Sequence, residues 1–234
     1  MQTFWTHMAD IFYRSIIEQN RYQFIISGLC KTIIIAFFAV ILGVILGSLI
    51  AIVRNYYSET KKGKLLSLLG QIYVTVIRGT PVVLQLMIIY YIIFKSVNIS
   101  VILVGILAFG LNSAAYVSEV IRAGIESVSI GQKEAAKTLG LTYWQTMLYI
   151  VLPQAIRHIL PALGNEFIAL LKETSVAGYI GIIELVKASD IIASVTYDYF
   201  FPLIIVAIIY LILTLGLSKL LKIFESKVLN HAQG

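Results

Sequence analysis

Charge is what this sequence has least of. Of 234 residues, 13% are Asp, Glu, Lys or Arg, against about 25% in a typical soluble domain. An ordinary soluble fold is thereby excluded. A single cysteine, Cys30, leaves no internal disulfide and no cysteine cluster for a metal; it reads as a small apolar residue at a helix start. The three histidines, His7, His158 and His231, are scattered, and no H-E-x-x-H pair occurs, so the common zinc-protease arrangement is missing. There is also no G-x-x-x-x-G-K-[ST] phosphate loop, because Gly63-Lys64 is followed by Leu65 and lacks the upstream glycine. The chain is not expected to bind ATP in that way, nor to carry a metal or cofactor of its own.

What fills the space is apolar. Hydrophobic residues make up 59% of the chain, and the mean hydropathy is +0.90. They come in runs long enough to cross a bilayer, which takes about 20 residues of helix. Residues 32–53, 96–118 and 199–218 carry no charge, 65–94 is broken only by Arg78, and 153–171 holds Arg157, His158 and Glu166. The runs are continuous rather than alternating, so each must satisfy its backbone inside a helix rather than in a barrel. The expected fold is an all-α integral membrane protein with five transmembrane helices. The first run is not read as a signal peptide: it is too long, and Asp10, Arg14, Glu18 and Arg21 precede it.

Basic residues orient the chain. Arg54, Lys61, Lys62 and Lys64 fall in a hinge after the first run, Arg122, Lys133 and Lys137 after the third, and Lys219, Lys222 and Lys227 after the last. That bias places the N-terminus outside and the C-terminus in the cytoplasm of a cell membrane. The net charge of +6 belongs to this topology and implies no nucleic-acid partner. Residues 1–23, with Phe12, Ile16 and Ile17 at helical spacing, are expected to lie along the outer interface. Residues 24–224 form the membrane domain, and 225–234 a cytoplasmic tail.

The third loop, about 122–152, faces the cytoplasm. Gln, Lys, Glu and Ala between Gly131 and Leu139 favour a helix, with Gly140 placed to stop it. A second amphipathic piece follows from Thr142 to Val151, with Trp144 and Tyr149 suited to the interface. Pro153 is then expected to start the next membrane helix.

Polar residues inside the apolar runs are the candidates for substrate chemistry, since each is costly at membrane depth. Arg78 precedes Gly79-Thr80-Pro81, where proline disfavours helix and frees backbone groups. Asn112 and Ser113 sit beside the small Ala114 and Ala115, and Glu166 follows Gly164-Asn165. Each has a structural alternative: Arg78 as a clamp on backbone carbonyls, Glu166 in an ion pair with Arg78, and Asn112 and Ser113 in helix packing. Glu119, Arg122 and Glu126 have the spacing of local ion pairs. Glu184, Lys187 and Asp190 read as the solvated face of a short outer helix, with contact to a solute-carrying protein outside the membrane as the alternative.

Three stretches carry a family resemblance: "VIRGTPVVLQL", "SAAYVSEVIRAGIESVSIGQKEAAKTLG" and "LPQAIRHILPALGNEFIALLKETS". In this order they resemble the permease subunits of ATP-binding-cassette importers of type I fold, and more narrowly the polar amino-acid permeases. "EAAKTLG" followed by "IVLPQA" is similar to that family's EAA signature. The resemblance implies that Glu134, Ala135, Ala136 and Gly140 belong to a coupling helix docking on an ATPase. It further implies two ATPase subunits that hold ATP and magnesium, and a second permease chain, identical or related. An extracytoplasmic amino-acid-binding protein and an amino-acid substrate complete the system. Lys172 enters as a path-lining candidate on the same ground. An arginine fork suits a substrate carboxylate and Glu166 an amino group. The acid at Glu166 within "ALGNEF" further resembles the branch of the family that handles basic amino acids, so the resemblance implies arginine, lysine, histidine or ornithine in preference to glutamine, glutamate or cystine. The alternative of another class is a channel or ion-coupled carrier, which would use the buried charges as a relay; no two halves with matching hydropathy are evident.

Overall fold

The computed structural model describes residues 2–230, excluding the side chains of Gln2 and of residues 228–230. All its regular elements are helical. Helix α1 (Gln2–Phe12) leads through a π-turn (Tyr13–Ile17) into α2 (Tyr22–Thr60); α3 (Lys64–Arg78) and α4 (Val82–Ile88) follow. After a second π-turn (Ile89–Ile93) come α5 (Val101–Glu126), α6 (Ile130–Thr138), α7 (Tyr143–Thr146) and, beyond a third π-turn (Met147–Val151), α8 (Leu152–Glu173). A 3₁₀ stretch (Thr174–Ile180), α9 (Leu185–Thr196) and α10 (Phe200–Asn230) complete the order.

Four of these helical runs are long and apolar enough to cross a membrane, and there are five if the α3–α4 pair is counted as one broken span. The expected five-span architecture holds on that count. Its second member is no straight rod: α3 and the α4 segment meet at 109°. Pro81 explains the break, since it sits in extended backbone and starts α4 where a helical Thr80 would clash with its ring.

α5 is the axis of the bundle, with 61% of its apolar window buried against 11% for α10. Its small residues make this possible. Gly43 and Gly47 of α2 approach α5 so closely that an added Cβ would stand 2.7 Å from Ser113 Oγ and from Ala114 O respectively. Such small-xxx-small spacing is how helices gain contact where lipid removes the hydrophobic drive. α2, 39 residues long, spans roughly 58 Å at 1.5 Å per residue, well beyond the ~30 Å hydrocarbon core.

Several expectations need correction. Arg54 is not in a hinge; α2 continues past it, and the connection shrinks to residues 61–63, with Lys61 and Gly63 both at positive φ. Basic and amide residues at a membrane interface can extend a helix as readily as end it, because neighbouring helices pair them. Cys30 lies within α2, not at its start, and is exposed. Pro153 stands in the first turn of α8, as expected, but α8 does not begin from a loop: helical backbone runs into it from α7, whose start carries a capping box at Thr142 and Gln145. Ile16 is buried with Ile25, Leu185, Ile192 and Val206, so the N-terminal segment packs against protein as well as lying beside it. Residues 225–230 continue α10, while His231 to Gly234 lie outside the described residues.

The chain's ends of the bundle can be told apart by contacts. At one end Lys133 and Lys137 of α6 meet Glu59 of α2, and the Tyr143 hydroxyl donates to Asn55 Oδ1 at 2.8 Å. At the other, Leu185 N donates to Thr32 Oγ1 at 3.2 Å. The first is called the elbow end below.

Candidate functional site

Two neighbouring residues on α5 reach in different directions, as a helix turn of 3.6 residues requires. Ser113, wholly buried, donates its hydroxyl to Glu166 Oε1 of α8 at 2.9 Å. Asn112, also buried, donates from Nδ2 to Gln85 Oε1 of α4 at 2.9 Å. α5 thus ties the broken span to the helix bearing the acid.

Gln85 does more than accept. Its Nε2 donates to the Ile77 carbonyl at 2.8 Å, the Thr80 carbonyl at 3.1 Å and Thr80 Oγ1 at 2.7 Å. These carbonyls belong to the last turn of α3 and the break after it, where helical partners run out. One amide therefore satisfies the backbone that Pro81 releases. Sequence reasoning passed over Gln85; the available signal was a neutral amide four residues after Pro81 in an otherwise apolar run.

Arg78 does not meet Glu166. Its Nη1 lies 3.7 Å from Glu119 Oε2, and its guanidinium stands over the Tyr116 ring at 5.3 Å from the centroid. Glu119 also accepts from Arg54 Nη1 at 2.5 Å and from Arg122 Nε at 3.0 Å, and Arg122 is 2.6 Å from Glu126. The local pairs expected from spacing are present, but Glu119 is the centre of a cluster joining α2, α3 and α5. Arg78 sits there because its helix ends at residue 78, which swings the side chain toward α5 one and a half turns or more beyond Ser113.

Glu166, by contrast, has no ion pair among the described residues, and Ser113 is its one hydrogen-bond partner there. Lys172 is exposed near the end of α8 and joins neither group. The site residues thus divide: Asn112, Ser113 and Glu166 gather around α5, Arg78 belongs to the Glu119 cluster, and Lys172 stands apart.

Glu184 corrects another expectation. Far from a solvated face, it is fully buried and caps α9, accepting from Val186 N at 2.7 Å and Lys187 N at 2.6 Å. Burial pushes its carboxyl up to about 7, against the pull of those two backbone donors and the nearby Lys187 charge. Lys187 and Asp190 do form an exposed pair, at 2.6 Å.

The elbow has the expected build. α6 ends at Thr138 and Gly140 follows in the left-handed region, φ +76°, which glycine adopts without steric cost. Ala136 is buried, whereas Glu134, Ala135 and Gly140 are exposed. Ile130 and Leu139 are 72% and 78% exposed. Large apolar side chains left open at both ends of one short helix mark a surface made to be covered.

A helical bundle with a broken span, a polar centre on its axial helix and a projecting elbow defines a membrane permease. The chain belongs to the family described as "Binding-protein-dependent transport system inner membrane component", whose model matches residues 39–230. It is thus a non-catalytic, integral inner-membrane component of a transport system that works with a binding protein. Among similar proteins, one of Rickettsia typhi, named "Putative glutamine transport system permease protein GlnP", is 43% identical over 210 residues, covering 88% of this chain and 93% of its own length. The "Arginine transport system permease protein ArtQ" of Bacillus subtilis is 38% identical over 207 residues, covering 88% and 92%. A solved structure described as "Crystal structure of an amino acid ABC transporter with histidines" matches with a TM-score of 0.80 and 46% identity, over 88% of this chain and 94% of that one. The methionine transporter MetNI, at 16% identity and a TM-score of 0.75, shares the fold.

Proposed function

We propose that the chain is the permease subunit of an ATP-driven importer of amino acids. It works as one of two permease chains, identical or related, with two ATPase subunits that bind ATP and magnesium. An amino-acid-binding protein outside the cell delivers the substrate. The elbow faces the cytoplasm and docks on the ATPase through Glu134, Ala135, Ala136 and Gly140; the N-terminus lies outside. Relatives named for glutamine and for arginine transport support the amino-acid class.

Within that class the proposed substrate is cationic: arginine, lysine, histidine or ornithine. The observation behind it is the Glu166 carboxylate, which holds one hydroxyl donor and no cation among the described residues. A carboxylate at membrane depth without a cation is costly, and a substrate ammonium or guanidinium removes that cost. Ser113 and Asn112 position the site, with Lys172 further along the path and Arg78 outside the immediate pocket. Glutamine is the second reading, favoured by the names of relatives at 43% identity; its amino group alone would then meet Glu166.

Uptake by Glu166→Gln separates the two. For a site that reads a cationic side chain, arginine uptake falls at least about tenfold, some 1.4 kcal/mol, and glutamine uptake falls less. Equal loss for all substrates would make Glu166 a structural residue, and unchanged arginine uptake would remove it from the site.

A further inference from the structure

At the elbow end an apolar groove of about 350 Å³ runs between α2, α5, α7 and α8. Ile52, Ile121, Ile125, Leu152, Ile156 and Leu160 line it. Polar groups are few, and the most prominent, the Tyr143 hydroxyl, is already engaged with Asn55. Tyr143 and Met147 also wall a second pocket of about 130 Å³, in which Lys133, Lys137 and Glu59 converge. The two cavities are therefore neighbours sharing a wall, one apolar and one basic.

The charges are unequal. Lys133 and Lys137 stand 3.4 and 3.2 Å from one carboxylate, Glu59. Two ammonium groups against one carboxylate leave a positive charge over, and each ammonium has three donors to place. Tyr56, Tyr143 and Trp144 cluster at the junction, with Tyr56 and Trp144 stacked at 5.8 Å and Tyr143 at 5.2 and 5.0 Å from them. Such amphipathic rings settle at the level of lipid head groups. The junction thus marks the depth at which acyl chain gives way to phosphate.

We propose that this pair of cavities holds one anionic glycerophospholipid, an acyl chain lying in the Ile52–Leu160 groove and the phosphate resting on Lys133 and Lys137. Basic pockets between membrane helices take acidic head groups for the same electrostatic reason. The site tethers the elbow to the bilayer: its phosphate end rests on α6, and its acyl end on α8. This inference requires only that the chain spans a membrane, and it stands apart from the substrate assigned above.

The test is native mass spectrometry of the full-length chain, purified and delipidated in the assembly it forms, and titrated with phosphatidylglycerol or phosphatidylcholine of matched acyl chains. One phosphatidylglycerol per chain should bind about tenfold or more tighter than phosphatidylcholine, since two basic residues face its head group. The Lys133→Gln/Lys137→Gln double variant should lose that preference, and Ile156→Trp, which fills the groove, should weaken both lipids. Equal binding of the two lipids, or a preference that survives the double variant, would overturn the proposal. A photoreactive residue at Leu160, in otherwise unaltered protein, decides the matter even where those variants fold poorly. Crosslinks to phospholipid support the site, and crosslinks to a second protein chain refute it.

Discussion

α5 carries two polar stations, and they are built in opposite ways. At Glu119 one carboxylate faces three guanidinium groups, from Arg54, Arg78 and Arg122. At Ser113 one carboxylate, Glu166, faces a single hydroxyl. The first station is saturated from within the chain; the second is left short. A saturated cluster ties helices together, because taking away its centre strands Arg54 and Arg78, which come from other helices, while Arg122 keeps its local pair with Glu126. A short one is open to something brought from outside. Glu184 is a third case, an acid satisfied by backbone donors at the start of its own helix.

That contrast is broken most severely at Glu119. Glu119→Gln leaves three guanidinium groups without their shared counter-charge; the cluster is part-buried, so the cost falls between about 1 kcal/mol for an exposed pair and about 3–5 kcal/mol for a buried one. Thermal unfolding in detergent should shift down by several degrees, far more than for Glu126→Gln, whose carboxylate touches Arg122 alone. Equal shifts for the two would deny Glu119 its central place.

Gln85 sharpens the comparison from the other station. Gln85→Leu orphans the buried Asn112 amide, at about 1–3 kcal/mol for an unsatisfied buried group, and removes the donor from the half-buried Ile77 and the exposed Thr80 carbonyls at a smaller cost. Because the residue holds the break and not the substrate, uptake of arginine and glutamine should decline together. A selective loss of one would instead put Gln85 against the substrate.

The smallest effect belongs to Glu184 and depends on pH. Its carboxyl is raised to about 7 in the folded chain from an ordinary 4.5, so the folded state binds the proton more tightly than the unfolded one. Stability from this group therefore declines as pH rises from about 4.5 to 7 and is level above. Melting curves across that window should fall less steeply for Glu184→Gln than for the parent. Parallel curves would show that the acid is not held protonated.

Much of this was legible in the sequence, for a physical reason. Lipid admits few spanning structures, so uncharged runs such as 96–118 and 199–218 announced α5 and α10, and Gly140 announced the end of α6. Long-range pairing was not legible. Glu119, Arg122 and Glu126 displayed their local spacing, but nothing in it pointed to Arg54 on α2 or Arg78 on α3. An ion pair between Arg78 and Glu166 was an open alternative because both lie in apolar runs; the 109° break sends Arg78 to Glu119 instead. Glu184 looked solvated because it adjoins Lys187 and Asp190, and only the cap geometry shows it turned inward. Ser113 and Asn112 were named from the sequence as an adjacent polar pair beside the small Ala114 and Ala115, whereas Gln85 stands singly among large apolar neighbours and was passed over.

The closeness of Gly43 to Ser113 has one more consequence. Any side chain there, even a methyl, would press on the hydroxyl that holds Glu166. The spacing of the polar centre is therefore dictated by an atom that is missing, on a helix that contributes no polar group to it. On the proposed reading of Glu166, selectivity would have a silent determinant: one bare position of backbone acting as a gauge block, setting the gap beside the acid.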